Sequence, residues 1–289
     1  MAGQLMETKI TDINENAVFT QREGITYQVA LDQLEATPQI GDNLKGLAYE
    51  DRKGTKRLQV QLPKIRPGIY DWAPVVSLHT EAGAFVDIGL DQKDILLSSD
   101  DLPLESWEWP KVGDELFVTY EIDERERFWA KLGYQEEISR IRKKAPARLQ
   151  NQDTKARVYR LIGAGAQVFT KDGYDAFIHT DEQLNPLRLG EEVEARVIDV
   201  HLDGRLNLST RPRAHELISE DAQMILAVLS RSLGGFLPLH DKSHPDEIKN
   251  LLGISKKQFK RAVGNLLKEG RIRQEVGEGI YLLDKGADK

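Results

Sequence analysis

The sequence predicts a multidomain, mainly β chain: three five-stranded barrels in tandem, then an α/β winged helix-turn-helix domain. Three observations carry this. A Gly-led alternating run recurs at Gly41-Asp42-Asn43-Leu44, Gly113-Asp114-Glu115-Leu116 and Gly190-Glu191-Glu192-Val193. A polar turn and a second strand follow each run, at residues 56–60, 127–132 and 205–209. Beyond residue 212 the apolar period lengthens from that of a strand to that of a helix. Repetition at the spacing of one small domain marks a string of like modules.

Residues 1–65 hold the first copy, with strands expected over 6–13, 17–20, 26–30, 43–49 and 57–62. Residues 66–133 hold the second, over 75–78, 84–88, 95–97, 116–122 and 128–132. A Pro-Leu-Glu-Ser-Trp segment at 103–107 interrupts those strands, and Pro110 and Gly113 punctuate the return. A basic linker, 134–150, carries one short helix marked by Ile138 and Ile141 and ended before Pro146. The third copy, 151–212, has strands over 156–161, 167–170, 175–179, 193–201 and 206–209. Val18-Phe19-Thr20 and Val168-Phe169-Thr170 are a phrase shared by the first and third copies. Short strands at close spacing, with Gly- and Asp-rich turns, read as one barrel per copy.

Residues 213–289 form the winged helix. Met224, Ile225, Val228 and Leu229 make one helix face, and Ile248, Leu251 and Leu252 a second that stops at Gly253. Ser255 caps a third, in which Phe259, Ala262, Val263, Leu266 and Leu267 recur at helical spacing. Arg271 to Val276 and Ile280 to Leu283 flank Gly277-Glu278-Gly279 and predict a terminal hairpin.

At 289 residues, with 40% hydrophobic and 30% charged, the chain fills several small cores. It has no apolar run near the roughly 18 residues of a membrane span. The absence of a secretory pattern at the start and of any cysteine leads us to expect a cytoplasmic protein without membrane partners. The net charge of −7 is the wrong sign for a polyanion partner, since phosphate affinity comes largely from lysine and arginine. Local basic clusters run against it, at Arg52 to Arg57, Arg140 to Lys144, Lys256 to Arg261 and Lys268 to Arg273.

The second copy resembles the S-one domain, an OB-fold RNA-binding repeat of a small-subunit ribosomal protein. Gly83-Ala84-Phe85-Val86 matches that family's second strand fully. Asp94 to Asp100 matches its next phrase, with Leu97 in the histidine place, and Asp123 and Arg127 keep its closing spacing. The third copy lacks the aromatic in Gly165-Ala166-Gln167-Val168 but keeps the histidine at His179. Its closing strand, Arg205 to Ser209, has His201 where the acid belongs. The first copy is degenerate, retaining chiefly Arg57. Three such modules and a winged helix resemble, more specifically, the bacterial conserved virulence factor B proteins. That resemblance implies RNA binding and post-transcriptional control.

The residues themselves point the same way. The expected partner is single-stranded RNA, because bases stack on the open face of an OB barrel and an A-form groove hides base edges. Phe85 and Phe177 are the candidate stacking rings, His179 a planar partner, and Arg127 and Arg205 the phosphate contacts. The opposing reading sends Phe85 and Phe177 into the cores, since Phe177 alternates with Ile178 and one of the two must face inward. Arg127 and Arg205 are then edge charges. In the winged helix Lys256, Lys257, Lys260, Arg261, Arg271 and Arg273 are candidate contacts, for RNA or for DNA.

No catalytic constellation emerges, so a non-enzyme without cofactors is expected. His240-Asp241-Lys242-Ser243-His244 precedes a helix and reads as a turn in which Ser243 or Asp246 caps, not as a metal site. His79, His201 and His215 lack companions at ligand spacing. Nothing in the sequence reads on oligomeric state.

Overall fold

A computed structural model describes residues 3–213, 220–275 and 277–283. His215 and Val276 lie outside the described residues. The chain divides into two units, residues 1–211 and 212–289.

The first unit is three closed five-stranded barrels. Barrel 1 comprises β1 (Leu5–Ile13), β2 (Ala17–Arg22), β3 (Ile25–Ala30), β4 (Asn43–Glu50) and β5 (Lys56–Gln59). Barrel 2 comprises β6 (Asp71–His79), β7 (Gly83–Leu90), β8 (Lys93–Ser98), β9 (Glu115–Ile122) and β10 (Phe128–Leu132). Barrel 3 comprises β11 (Asp153–Ile162), β12 (Gly165–Thr170), β13 (Asp175–His179), β14 (Glu192–Val200) and β15 (Leu206–Ser209). In each, the first strand pairs with the second and fourth, and the third lies parallel to the fifth. The first strand of each also carries a bulge, at Ile10/Asp12, Val75/Ser77 and Val158/Arg160. A bulge bends and twists a strand, which lets one long strand serve both sides of a closed barrel.

Period-two alternation fills the cores. Along β7, Ala84, Val86, Ile88 and Leu90 point inward to join Ile95, Leu97, Leu116 and Val118. In barrel 3 the inward set is Val158, Ala166, Val168, Ile178, Leu206 and Leu208. Gly83 and Gly165, at φ +125° and +149°, sit where the chain passes close to the next strand. A Cβ at Gly83 would lie 2.0 Å from the Leu97 carbonyl oxygen, and one at Gly165 2.2 Å from that of Ile178, so only glycine fits.

The barrels are bolted together. The basic segment after barrel 2 forms α1 (Gln135–Ile141), started by a Glu137 carboxylate that accepts from the Tyr134 amide at 2.9 Å. Its Ile138 is fully buried with Phe117 of barrel 2 and Tyr159 of barrel 3. Arg188 makes paired bonds to Asp114 (2.9 and 3.0 Å), and Leu189, from barrel 3, completes the core of barrel 2. Barrel 1 is fastened to barrel 2 through Arg57, which pairs with Asp51 at 2.6 Å and with Asp91. The Tyr49 hydroxyl adds a bond to the Asp91 carbonyl at 2.8 Å.

The second unit holds α2 (Glu220–Arg231), β16 (Phe236–Leu237), α3 (Pro245–Leu252), α4 (Lys256–Lys268), β17 (Ile272–Glu275) and β18 (Gly279–Leu282). Ile225, Leu229, Ile248, Phe259, Val263, Leu266 and Ile280 make its core. Gly253, at φ 71°, ends α3 in the left-handed conformation. The terminal hairpin expected from the sequence is a three-stranded sheet ordered β16-β18-β17. Two-residue β16 is too short to leave a periodic signal. The cap of α3 is His244, not Ser243 or Asp246: its Nδ1 accepts from the Asp246 amide, while Glu247 accepts from the His244 amide at 3.1 Å. Among the described residues no helix is long and apolar enough to cross a membrane.

Candidate nucleic-acid interface

Strand register sorts the outward-facing residues into one row per barrel, running across the second, third and fifth strands. In barrel 2 the row is Phe85, Leu96 and Trp129. In barrel 3 it is Gln167, Phe177 and Asn207. In barrel 1 it is Phe19, Gln28 and Arg57. All nine are half-buried, whereas their strand neighbours Val86, Leu97, Ile178 and Leu206 are buried. Phe85 and Phe177 therefore face outward, and Ile178 takes the core position that the opposing reading had given to Phe177. The ring absent from the Gln167 place of β12 reappears one strand over, at Phe177 of β13. Barrel 1 keeps a ring as well as the Arg57 read from the sequence, since Phe19 stands at the place of Phe85.

Trp129 is the largest ring of these rows and was not among the candidates. Phe128 fills the core, so the next residue along β10 turns outward, a parity that the adjacent apolar pair Phe128-Trp129 does not reveal by spacing alone. The Arg127 guanidinium lies over the indole, 5.1 Å from its centre. Asp123 binds both, accepting from the indole Nε1 at 3.0 Å and from the Arg127 side chain at 2.7 Å. The Arg127 amide, then the indole and guanidinium, hold the Asp123 carboxyl well below the usual carboxylate range. His79 meets Phe85 edge-on, with ring centres 5.4 Å apart.

In barrel 3 the row opens on a cavity of about 300 Å³ lined by Phe177, Asn207, Arg205, His201, Gln167 and Gln135. Gln135, on α1, donates to Asp175 at 2.7 Å, so its own oxygen is left to accept from Gln167 at 2.7 Å. The Tyr159 hydroxyl joins the same network, 3.0 Å from Asp175. Burial, reinforced by the Asp175 carboxylate, raises the phenol far above its ordinary pKa and keeps it protonated. This chain of donors fixes the Gln167 amide with its nitrogen turned toward Gln135. Its Oε1 is left buried without a donor, an arrangement that native proteins seldom leave unused. Arg205 is exposed and held to Asp203 at 2.7 Å, and His179 is exposed, 6.3 Å from Phe177 between ring centres.

Two motif alignments shift by a residue or two. Gly83 pairs with Ser98, as Gly165 pairs with His179, so Ser98 stands in the histidine place and Leu97 is core. Both cap a single helical turn: Ser98 accepts from the Asp100 amide and His179 from the Asp181 amide. His201 does hold the backbone place of Asp123, since each amide donates to the carbonyl four residues on. The carboxylate that grips the arginine in barrel 3 comes instead from Asp203.

On the winged helix, Lys257, Lys260, Arg261 and Lys268 are exposed along one face of α4. Lys256 is turned away, donating to the Ser243 carbonyl at 2.9 Å. Arg261 lies 3.4 Å from Asp221, and Arg271 is half-buried. Arg273 pairs with Glu275 and lies over the Tyr281 ring at 4.3 Å. His240 and His244 each accept from a nearby amide in a local turn. Among the described residues no cluster of three or more acidic or histidine side chains is arranged to hold a metal.

Family models match three parts of the chain. "CvfB first S1-like domain" covers residues 70–131, "Virulence regulatory factor CvfB, second domain" covers 138–212, and "CvfB-like winged helix domain" covers 223–282. The chain is 36% identical to conserved virulence factor B of Staphylococcus haemolyticus over 91% of each sequence. It is 38% identical to the uncharacterized protein YitL of Bacillus subtilis, over 86% of this chain and 84% of the relative. A solved structure from Streptococcus pneumoniae, described as a multidomain protein with nucleic acid binding domains, is 39% identical. It superposes with a TM-score of 0.71 over 98% of both chains. Sequence, domain order and fold agree: this chain belongs to the conserved virulence factor B family.

Proposed function

We propose that this protein is a non-enzymatic, cytoplasmic RNA-binding protein that regulates gene expression after transcription. It engages single-stranded RNA through the outward faces of barrels 2 and 3 and through the cationic face of α4. One observation carries the reading: barrels 2 and 3 each present rings on the outward row of their second, third and fifth strands, with an exposed arginine beside them, Arg127 at Trp129 and Arg205 at Phe177. A base stacks on such a ring whatever its identity, and the arginines neutralise the backbone. This local arrangement is what offsets the net charge of −7. The same description of the pneumococcal relative, as bearing nucleic acid binding domains, supports it.

Titration of the full chain with single-stranded RNA, single-stranded DNA and duplex DNA tests the proposal. Tighter binding to the RNA strand is the expected result. Preference for duplex DNA would make it a transcription factor reading DNA with the winged helix, and no binding at low salt would make it a protein-binding adaptor. Arg205→Ala and Lys260→Ala are each expected to weaken binding and to flatten the slope of log K against log salt by about 0.7. A slope equal to that of the parent in either variant removes that residue from the contact.

A further inference from the structure

A second cavity, of about 460 Å³, lies at the seam of barrels 2 and 3 and contains none of the residues discussed as contacts. It is lined from barrel 2 by Leu132 and Pro103, from the connection by Tyr134, and from barrel 3 by Arg160 and Ile162. Tyr134 is 44% exposed, and the Arg160 guanidinium lies 5.2 Å from its ring centre. The start of α1 is capped through the Tyr134 backbone amide, which donates to Glu137 and leaves the ring half open to solvent. An exposed aromatic with an arginine over it, set in a cleft of this size, is the composition of a small-molecule or base site.

The cleft is also in line with the two faces already described. Trp129 and Lys131 point outward from the same strand about 7 Å apart, and Lys131 bonds Asp101 of the cleft wall, which sets the cleft beside the outward face of β10. At the other end Ile162 lines both the seam cavity and the cavity beside Phe177, so the two adjoin. The seam does not have to be assembled by a ligand, because Arg188, Asp114, Leu189 and Ile138 already hold the two barrels in one arrangement. Of the acids in the lining, Asp101 is neutralised by Lys131 at 2.8 Å. Glu108 makes no ion pair among the described residues, and its carboxylate suits a base amino group and repels a phosphate.

We infer that the seam is a nucleotide subsite in which Tyr134 stacks on one base and Arg160 meets the adjoining backbone, joining the faces of barrels 2 and 3 into one continuous track for a single strand. The inference rests on the RNA-binding reading above. A bridged track has a property that two separate barrels lack: affinity rises with RNA length until the strand spans both faces and the seam.

The test is a titration of the full chain with single-stranded RNA oligomers from about 4 to about 16 nucleotides, the range of OB-barrel site sizes. Tyr134→Ala, Tyr134→Phe, Arg160→Ala and Phe177→Ala are compared with the parent. In Tyr134→Ala the longest RNA is expected to bind 5- to 150-fold more weakly, while the shortest binds as before. Tyr134→Phe keeps the ring and should behave as the parent. Arg160→Ala should flatten the salt slope for long RNA only. If Tyr134→Ala binds long RNA like the parent while Phe177→Ala does not, the seam proposal fails and the RNA-binding reading stands. If the parent binds no RNA oligomer, both fail together.

Discussion

Replacing Arg57 by alanine is expected to destabilise the first unit by about 3 kcal/mol, a loss of roughly 6–12 °C in its thermal midpoint. The Asp51 side chain is 1% exposed, and Arg57 is its charge partner at 2.6 Å. The amides of Lys53 and Thr55 remain as donors after the substitution, at 2.8 and 2.9 Å, but neither carries a charge. Removing one member of a buried pair leaves the other desolvated and uncompensated, which costs more than the pair itself contributes. Burial alone would push the Asp51 carboxyl up, yet the guanidinium and these amides outweigh it and hold the group below the ordinary range. A carboxyl depressed in the folded state stabilises above its unfolded pKa, near 3.9, and loses that contribution as the pH falls through the folded value. The acid limb of the stability curve should therefore be steep in the parent and flatter in Arg57→Ala. Thermal melts of both proteins between neutral pH and about pH 3 would decide it. A midpoint unchanged by the substitution would show that barrel 1 does not depend on this clamp. Affinity for RNA is expected to stay close to that of the parent, because Arg57 is engaged with Asp51 and Asp91 and not offered to a ligand.

Phe177→Ala is expected to do the reverse, weakening single-stranded RNA binding by about 1–3 kcal/mol while leaving the fold nearly intact. Phe177 is half-buried on the outer surface of barrel 3, and the core beneath it is filled by Ala176 and Ile178. A ring truncated inside a core costs about 3–5 kcal/mol of stability, so the thermal midpoint separates the two roles directly. Phe85→Ala should follow the same pattern in barrel 2, to a smaller extent, because Trp129 remains in its row. A Phe177→Ala protein that melts many degrees lower, or one that binds RNA as tightly as the parent, would remove this ring from the interface.

Much of the architecture was legible because barrels and helices announce themselves by period. The Gly-Ala-Phe-Val phrase marked β7, and Ser255 and Gly253 marked the start of α4 and the end of α3. The site was legible only in part. Phe85, Phe177, Arg127 and Arg205 could be named, but alternation alone does not say which parity faces the core when both are apolar, as in Phe177-Ile178. Trp129 was missed because it adjoins Phe128 in an apolar stretch, and Gln167 because an amide in a strand carries no signal until its partners are known. Residue matching against a motif also slipped at Leu97, where pairing with Ala84 puts the residue in the core. Period-two structure makes such an error costly, since a shift of one exchanges inside for outside.

What the amino-acid order determined alone is local: which segments alternate, where they turn, which ends are capped, and that one small module was used three times. These follow from interactions between residues a few positions apart. Which rings face outward, that Arg57 is spent on Asp51 and Asp91, and that Tyr134 and Arg160 meet in a cleft were decided by tertiary structure. Each depends on strands closing into barrels and on barrels meeting each other, contacts between residues far apart in the chain whose pairing no local spacing encodes.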